Sequence, residues 1–160
     1  MIKVSLESLQ EHLVKKKFAV KFQPETKQLY MVFQIDKKEY PLFIRILSGN
    51  NFVQLLLFFP GNIRPARFNE IARLLHLINK EIDAPGFCID EESGYVFYRS
   101  VIPAVEQKID PTLLENFINA SELLCKSFTP VITNVATGVL DFNSVLKRSI
   151  EEKKSNPAFS

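Results

Sequence analysis

The chain has 160 residues, 46% of them hydrophobic and 24% charged, and a formal net charge of +2. This length fits one domain whose core needs neither a metal nor a disulfide for its stability. A charge so close to neutral gives no indication of nucleic-acid binding, and the longest apolar run, residues 55–59, is too short to cross a bilayer.

A first helix is predicted over residues 6–17. Ser5 can cap its start, because a serine side chain accepts a hydrogen bond from the first turn. Three leucines then recur at helical spacing, Leu6, Leu9 and Leu13. Lysines 15–17 close the last turn, where the helix dipole favours positive charge. The pattern therefore predicts a short helix with one apolar stripe.

Four strand-like segments follow the first helix. They span residues 18–22, 29–35, 40–47 and 52–59, and Pro60-Gly61 stops the last of them. Residues 29–35 show the clearest strand period, with apolar side chains at alternate positions. Short turns separate consecutive segments, which predicts an antiparallel meander.

A second helix and a hairpin are predicted after the meander. Pro65 suits the first position of a helix over residues 65–82, whose core side contains Phe68, Ile71, Leu75, Ile78 and Ile82. Residues 87–90 and 95–101 then alternate as strands on either side of an acidic turn. These two segments form the predicted hairpin.

A third, long helix is predicted to begin at Asp110-Pro111, a capping residue followed by a proline in the first turn. Pro130 either ends or kinks this helix, and the apolar pattern after it favours continuation to Gly138. Asp141 can cap a last amphipathic helix over residues 141–154. Residues 155–160 are predicted to form a disordered tail.

These elements predict an α+β fold, with an antiparallel sheet (a meander plus a hairpin) flanked by three to four helices. Residues 1–154 are expected to form a single domain, to which residues 141–154 contribute an added helix. The two cysteines, Cys88 and Cys125, fit no metal-binding spacing and are expected to be reduced. Reduced cysteines and the absence of a signal-peptide pattern favour a cytoplasmic location.

The stretch from Asn69 to Gly138 resembles a known family. A helix ending in Leu-Ile-Asn-Lys-Glu at 77–81 leads to a strand at 87–90, then to an acidic turn and an aromatic strand at 91–101. The helix that begins at Asp110-Pro111 reaches a small segment, Ala-Thr-Gly, at 136–138. This order resembles the pattern of YbjN-like proteins and of the type III secretion chaperones that share their fold.

The resemblance implies a homodimeric, non-enzymatic binding module without an active site. Chaperones of this fold hold an extended, non-globular segment of a client protein against exposed apolar surface and strand edges. They are typically acidic, whereas this chain has a pI near 8.5. The resemblance therefore implies a protein partner.

Catalytic, cofactor and metal sites are not predicted. The five glycines form no phosphate-binding loop. His12 and His76 lie on predicted helices and are interpreted as surface or boundary residues, while the cysteines are interpreted as small buried side chains. The acidic cluster at 90–92 is explained as a hairpin turn, since its spacing matches no calcium loop.

Two strands are apolar on both sides, which is unusual for a half-buried sheet. Either helices cover both sides, or one side docks a second subunit or a client strand. The second interpretation gives a set of partner-binding residues on the two strands: Val53, Leu55, Leu57, Phe59, Tyr95, Phe97 and Val101.

Three hypotheses of function remain. The leading one is a dimeric, chaperone-like protein that binds a segment of a partner. The alternative is a monomeric regulatory adaptor, whose basic helix at 141–154 contacts an acidic partner or a membrane surface without stable insertion. An enzyme is the third, and it would need a cysteine within hydrogen-bonding reach of a histidine.

Overall fold

The computed structural model describes residues 1–84 and 86–155. Its helices are α1 (Leu6–Lys15), α2 (Phe68–Ile82), α3 (Pro111–Ala136) and α4 (Phe142–Ser155). Its strands are β1 (Ile2–Lys3), β2 (Lys21–Gln23), β3 (Gln28–Ile35), β4 (Lys38–Ile46), β5 (Phe52–Phe58), β6 (Phe87–Ile89), β7 (Val96–Pro103) and β8 (Lys108–Ile109). The predicted α+β fold with an antiparallel sheet and flanking helices is confirmed.

Six strands form the main sheet in the order β2-β3-β4-β5-β7-β6, and every neighbouring pair is antiparallel. The meander supplies β2 to β5, and the later hairpin adds β7 beside β5 with β6 at the edge. The two-residue strands β1 and β8 pair with each other in a small separate ribbon, which the sequence did not predict.

Helix α1 forms where a cap and an apolar stripe coincide. The Ser5 hydroxyl accepts a hydrogen bond from the backbone N–H of Ser8, 3.2 Å away. Leu9 and Leu13 are fully buried below the helix. The chain leaves the helix through Lys17, whose φ of 68° turns it toward β2. The predicted end at residue 17 is therefore two residues late.

Helix α3 runs through Pro130, as predicted. The Asp110 carboxylate caps its start by accepting a hydrogen bond from the Thr112 N–H at 2.8 Å. Because Pro130 has no N–H, it cannot bond to the carbonyl one turn earlier. The neighbouring Thr129 hydroxyl donates to the Cys125 carbonyl at 2.7 Å, so the helix keeps side-chain support beside the proline.

Helices α1, α2 and α3 cover one side of the sheet. Alternate residues of the central strands are buried there, among them Leu42 and Ile44 on β4. These side chains join helix residues such as Ile71 and Ile118 in one connected apolar core. Burial of this apolar surface against the helices provides the main stabilisation of the fold.

Gly86 fixes the approach of the chain to β6. Its φ is +90°, and a Cβ on this residue would lie 2.1 Å from the carbonyl oxygen of Arg99. The Gly86 carbonyl also accepts a hydrogen bond from the Arg99 N–H at 3.0 Å. A side chain here would therefore force β6 away from β7.

Some predicted bounds need correction. The first predicted strand, 18–22, begins only at Lys21, because the preceding residues form the connection from α1. Pro65–Arg67 form a short 3-10 turn before α2. Ser155 belongs to α4, and the rest of the predicted tail, residues 156–160, lies outside the described residues.

Candidate partner-binding surface

Strand β5 has two different sides. Val53, Leu55 and Leu57 have no exposed surface, and Phe59 just after the strand is 7% exposed. All four lie in the core beneath the helices. Alternation along β5 places their side chains on the covered side of the sheet. The prediction of partner contact is therefore corrected for Val53, Leu55 and Leu57, whereas Phe59 also lines a groove at the end of the strand.

The other side of the sheet carries no helix in the described part of the chain. Cross-strand pairing places Leu56 between Phe43 and Arg99, and Tyr30 beyond Phe43. We call this side the open face, and its residues include Tyr30, Val32, Pro41, Phe43, Arg45, Phe52, Gln54, Leu56, Phe58, Cys88, Tyr95, Phe97, Arg99 and Val101. Each is half-buried or exposed.

Phe58 is the centre of an aromatic cluster on the open face. Its ring centroid lies 5.8 Å from that of Phe43, 5.5 Å from Phe97 and 6.4 Å from Tyr95. Tyr30 extends the cluster, with its ring 6.4 Å from Phe43. Tilted and edge-on pairs at these separations are favourable packing geometries for aromatic rings. The cluster is thus a packed apolar platform that is partly exposed to water.

A groove crosses the end of this cluster. It has a volume of about 340 Å³ and is lined by Pro41, Phe43, Phe58, Phe59, Pro60, Gly61 and Tyr95. Its walls are almost entirely aromatic rings and prolines. A groove of this composition suits an apolar side chain from an extended peptide segment.

Three of the predicted partner-binding residues lie on the open face. Tyr95 is 39% exposed and Val101 is 38% exposed, and Phe97 is half-buried in the aromatic cluster. Sequence reasoning missed Phe43 and Phe58, although they alternate correctly with buried neighbours. Choosing the right side required the strand register, which the sequence alone does not supply.

The two edge strands of the sheet are short, since β2 and β6 have three residues each. They pair only with residues 28–30 of β3 and residues 96–98 of β7, so the rest of β3 and β7 has no strand neighbour on its outer side in the described part of the chain. These free stretches of edge adjoin the open face and can add main-chain pairing to a segment bound there.

The cysteines and histidines do not form a catalytic pair within the described residues. Cys125 is fully buried, and burial raises the pKa of its thiol well above the usual range, which leaves it unreactive. Cys88 is half-buried and donates to the Gly86 carbonyl. The His12 Nε2 lies 3.1 Å from the Glu115 carboxylate, joining α1 to α3, and His76 is exposed on α2.

The acidic turn at 90–92 has a structural role. The Asp90 carboxylate accepts hydrogen bonds from the Ser93 hydroxyl at 2.7 Å and from the Glu92 N–H at 3.2 Å. The Ser93 bond is the main cause of a lowered pKa at Asp90. Across residues 1–84 and 86–155, no group of three or more His, Cys, Asp and Glu side chains is arranged to hold a metal ion.

Helix α4 packs on α2. Phe142 is buried, and the Arg73 guanidinium carbon lies 4.3 Å from the centre of its ring. The Lys153 ammonium pairs with the Glu81 carboxylate at 2.6 Å. The start of α4 is therefore attached to α2 through Phe142, and its end through Lys153. None of the helices in the described ranges combines the length and apolarity needed to cross a membrane.

A family model described as "Putative bacterial sensory transduction regulator", the YbjN family, matches residues 5–134. The chain belongs to the YbjN family. The resemblance seen in the sequence is thereby confirmed. The matched range contains the whole main sheet and most of α3, and α4 lies beyond its end. The family is described as one of regulators and not as one of enzymes.

A solved structure supports the same fold. The chain resembles the crystal structure of YbjN from E. coli, described as "a putative transcription regulator", with a TM-score of 0.61 and 14% sequence identity. The similarity covers 88% of this chain and 98% of that chain. Among curated proteins, none matches this chain in sequence.

Proposed function

We propose that this protein is a non-catalytic regulatory domain that binds an extended segment of a partner protein on its open face. The aromatic cluster around Phe58, left uncovered by any helix of the described chain, is the observation that carries the proposal. Membership of a family described as sensory transduction regulators supports a binding role. We expect this role to be performed in the cytoplasm.

The size of the open face fits a specific interface. The strands β3, β4, β5 and β7 have seven to nine residues each. At a strand spacing of about 4.8 Å and a rise of about 3.4 Å per residue, the four strands span a flat area of roughly 500 Å². The surface of the projecting side chains adds to this area. Specific interfaces bury about 800 Å² per partner, so the flat area of the open face is more than half of one partner's share.

The form of the open face favours an extended segment over a helix. The groove beside Phe58 accepts one apolar side chain at a time, and its rim is formed by Pro41 and Pro60. Arg45 and Arg99 lie exposed on the same side of the sheet and can bond to peptide carbonyls or acidic side chains. An extended segment with alternate apolar residues matches this arrangement.

Site-specific photocrosslinking tests this proposal. A photoreactive residue at Val101, on the open face, is expected to capture a defined partner segment in cells. The matched position is Leu123 on α3, which is 64% exposed and lies away from the open face. Equal capture from both positions, or none from position 101 in a folded protein, would contradict the proposal.

Affinity for the captured segment provides the second measurement. Phe58→Gln is expected to weaken binding by about tenfold or more, because central aromatic residues dominate interface energies. Leu123→Gln removes an exposed apolar side chain elsewhere and is expected to leave the affinity unchanged. Thermal unfolding of both variants separates a binding defect from a folding defect.

A homodimer through the same face is a second candidate, favoured by the area of the open face and by the resemblance to dimeric chaperones. In that case light scattering of the pure protein at micromolar concentration gives twice the chain mass of 18.4 kDa. Phe58→Gln would then restore the monomer mass. A monomer at all concentrations would rule out this second candidate without affecting the first.

A further inference from the structure

A groove on the helical side of the molecule lies between α2 and α4. It has a volume of about 420 Å³, and it is lined by Ala72, Arg73, His76, Leu77, Lys80, Phe142 and Leu146. We call it the α2–α4 groove. Its α4 wall lies beyond residue 134, where the match to the family model ends.

One wall of the α2–α4 groove carries basic side chains in a row. Arg73, His76 and Lys80 are exposed and follow one another at spacings of three and four residues along α2. This spacing keeps them on one side of the helix and spreads them over about 10 Å.

The acidic residues of α2 do not neutralise the positive charge of these side chains. The Glu70 carboxylate pairs with Arg67 at 2.7 Å and accepts the Phe142 N–H at 3.1 Å. The Glu81 carboxylate pairs with Lys153 and accepts the Ser149 hydroxyl at 3.3 Å. Both carboxylates are thus held in bonds that attach neighbouring segments, while no ion pair among the described residues engages Arg73 or Lys80.

The α4 side of the groove is apolar, since α4 contributes only Phe142 and Leu146 to its lining. Phe142 is buried beneath the Arg73 guanidinium, and the half-buried Leu146 supplies the accessible apolar part of the floor. Ile150 and Lys154 follow Leu146 at spacings of four residues, and both are exposed. Ile150, at 46% exposure, is an apolar side chain that α2 does not cover.

We propose that the α2–α4 groove binds an acidic amphipathic helix of a partner protein. Such a helix places its apolar stripe on the floor and its carboxylates beside Arg73 and Lys80 on the α2 wall, with Lys154 at the far end of α4. The basic side chains of α2 are complementary in charge to the carboxylates of such a helix, and this favours an acidic partner. The concave shape favours a protein helix over a membrane, because a membrane-binding surface projects its apolar side chains outward. The groove is separate from the open face, so this site does not rest on the proposed function above.

Fluorescence titration with a designed peptide tests the proposal. The probe is a labelled helical peptide of about 18 residues with leucines on one side and glutamates flanking them. Its control is a scrambled peptide of identical composition. The protein variant is Lys80→Glu with Lys154→Glu, and the matched variant with the same change in net charge is Lys27→Glu with Lys37→Glu. Lys27 and Lys37 lie in turns beside β3, far along the sheet from the edge where α2 packs on β6.

Saturable binding of the amphipathic peptide is expected, weakened about tenfold or more by the groove variant and little changed by the matched variant. Equal binding of the scrambled peptide, equal weakening by both variants, or no saturable binding would overturn the proposal. Binding of the protein to vesicles of equimolar phosphatidylcholine and phosphatidylserine without peptide binding would assign the groove to a membrane surface instead. Circular dichroism confirms that each variant is folded.

Discussion

The hydroxyl groups of Tyr40 and Thr129 lie 3.0 Å apart, and they join β4 to α3 in the core. The Thr129 hydroxyl already donates its proton to the Cys125 carbonyl, so the Tyr40 hydroxyl is the donor in this pair. The bond lies one residue before Pro130, where α3 lacks a backbone hydrogen bond. It therefore anchors the second half of the helix to the sheet.

Loss of this bond should lower stability. Thr129→Val is expected to reduce the free energy of unfolding by about 1–3 kcal/mol, because it leaves the buried Tyr40 hydroxyl unsatisfied. Tyr40→Phe is expected to reduce it by about 0.5–1.5 kcal/mol, because the Thr129 hydroxyl keeps its bond to the Cys125 carbonyl. The double variant should lose less than the sum of the two, since both partners are then removed. Urea unfolding measures all four proteins, and strict additivity would show that the two hydroxyls do not interact.

Alkaline pH should destabilise the fold through buried tyrosines. Burial raises the pKa of Tyr40, and burial also raises the pKa of Tyr98. Because the pKa is raised in the folded state, the tyrosine hydroxyl stays protonated to a higher pH in the folded chain than in the unfolded chain. The stability that this shift contributes is fully present below the ordinary tyrosine pKa of about 10, and it is lost as the pH rises through the folded-state pKa.

Part of the loss of stability at alkaline pH can be assigned to one residue. Tyr40→Phe removes a titrating group, so its free energy of unfolding should fall less steeply between pH 9 and pH 11 than that of the natural protein. Urea unfolding across this range gives the slope for each protein. Identical slopes would show that Tyr40 does not contribute to the pH dependence.

The two sides of β5 should differ in their contribution to stability. Leu55→Ala creates a cavity in the core and is expected to lower the free energy of unfolding by about 2–5 kcal/mol. Leu56→Ala, one residue along on the open face, is expected to lose less than half as much, because its side chain is not enclosed. Chemical unfolding of the two single variants compares them directly, and equal losses would mean that both sides of the strand are covered.

The two cysteines should differ in reactivity. Cys88 lies on the open face opposite Phe97, whereas Cys125 is enclosed beneath α3 and its pKa is raised by burial. Iodoacetamide is therefore expected to label Cys88 in the folded protein and Cys125 only after unfolding. Mass spectrometry of labelled peptides reports each site. Labelling of Cys125 first would contradict the described packing.

Local patterns in the sequence predicted most of the secondary structure. The β3–β4 hairpin is an example, because Asp36 and Lys37 at its turn have φ values of 49° and 63° and stand between two alternating segments. Asp110-Pro111 likewise marked the start of α3. In each case the signal lies within a few neighbouring residues, so it can be read without knowledge of the fold.

Features that depend on distant residues were not predictable. The β1–β8 ribbon joins Ile2 to Ile109, and two-residue strands carry no periodic pattern. Which side of β5 the helices cover was also not predictable from the sequence, because both sides of the strand are apolar. Only the order of strands and the positions of α1 to α3 determine that Leu55 faces the core and Leu56 does not.

The pairing of β5 with β7 has a consequence for how the chain folds. Phe58 and Phe97 are neighbours across these strands, although α2 and β6 lie between them in sequence. Closing a loop roughly ten times longer than a hairpin turn costs about 2 kcal/mol more in chain entropy. The meander can thus assemble from local hairpins before β7 arrives. Until then β5 is an edge strand with apolar side chains in both directions, and it is in this interval that the chain is most exposed to aggregation.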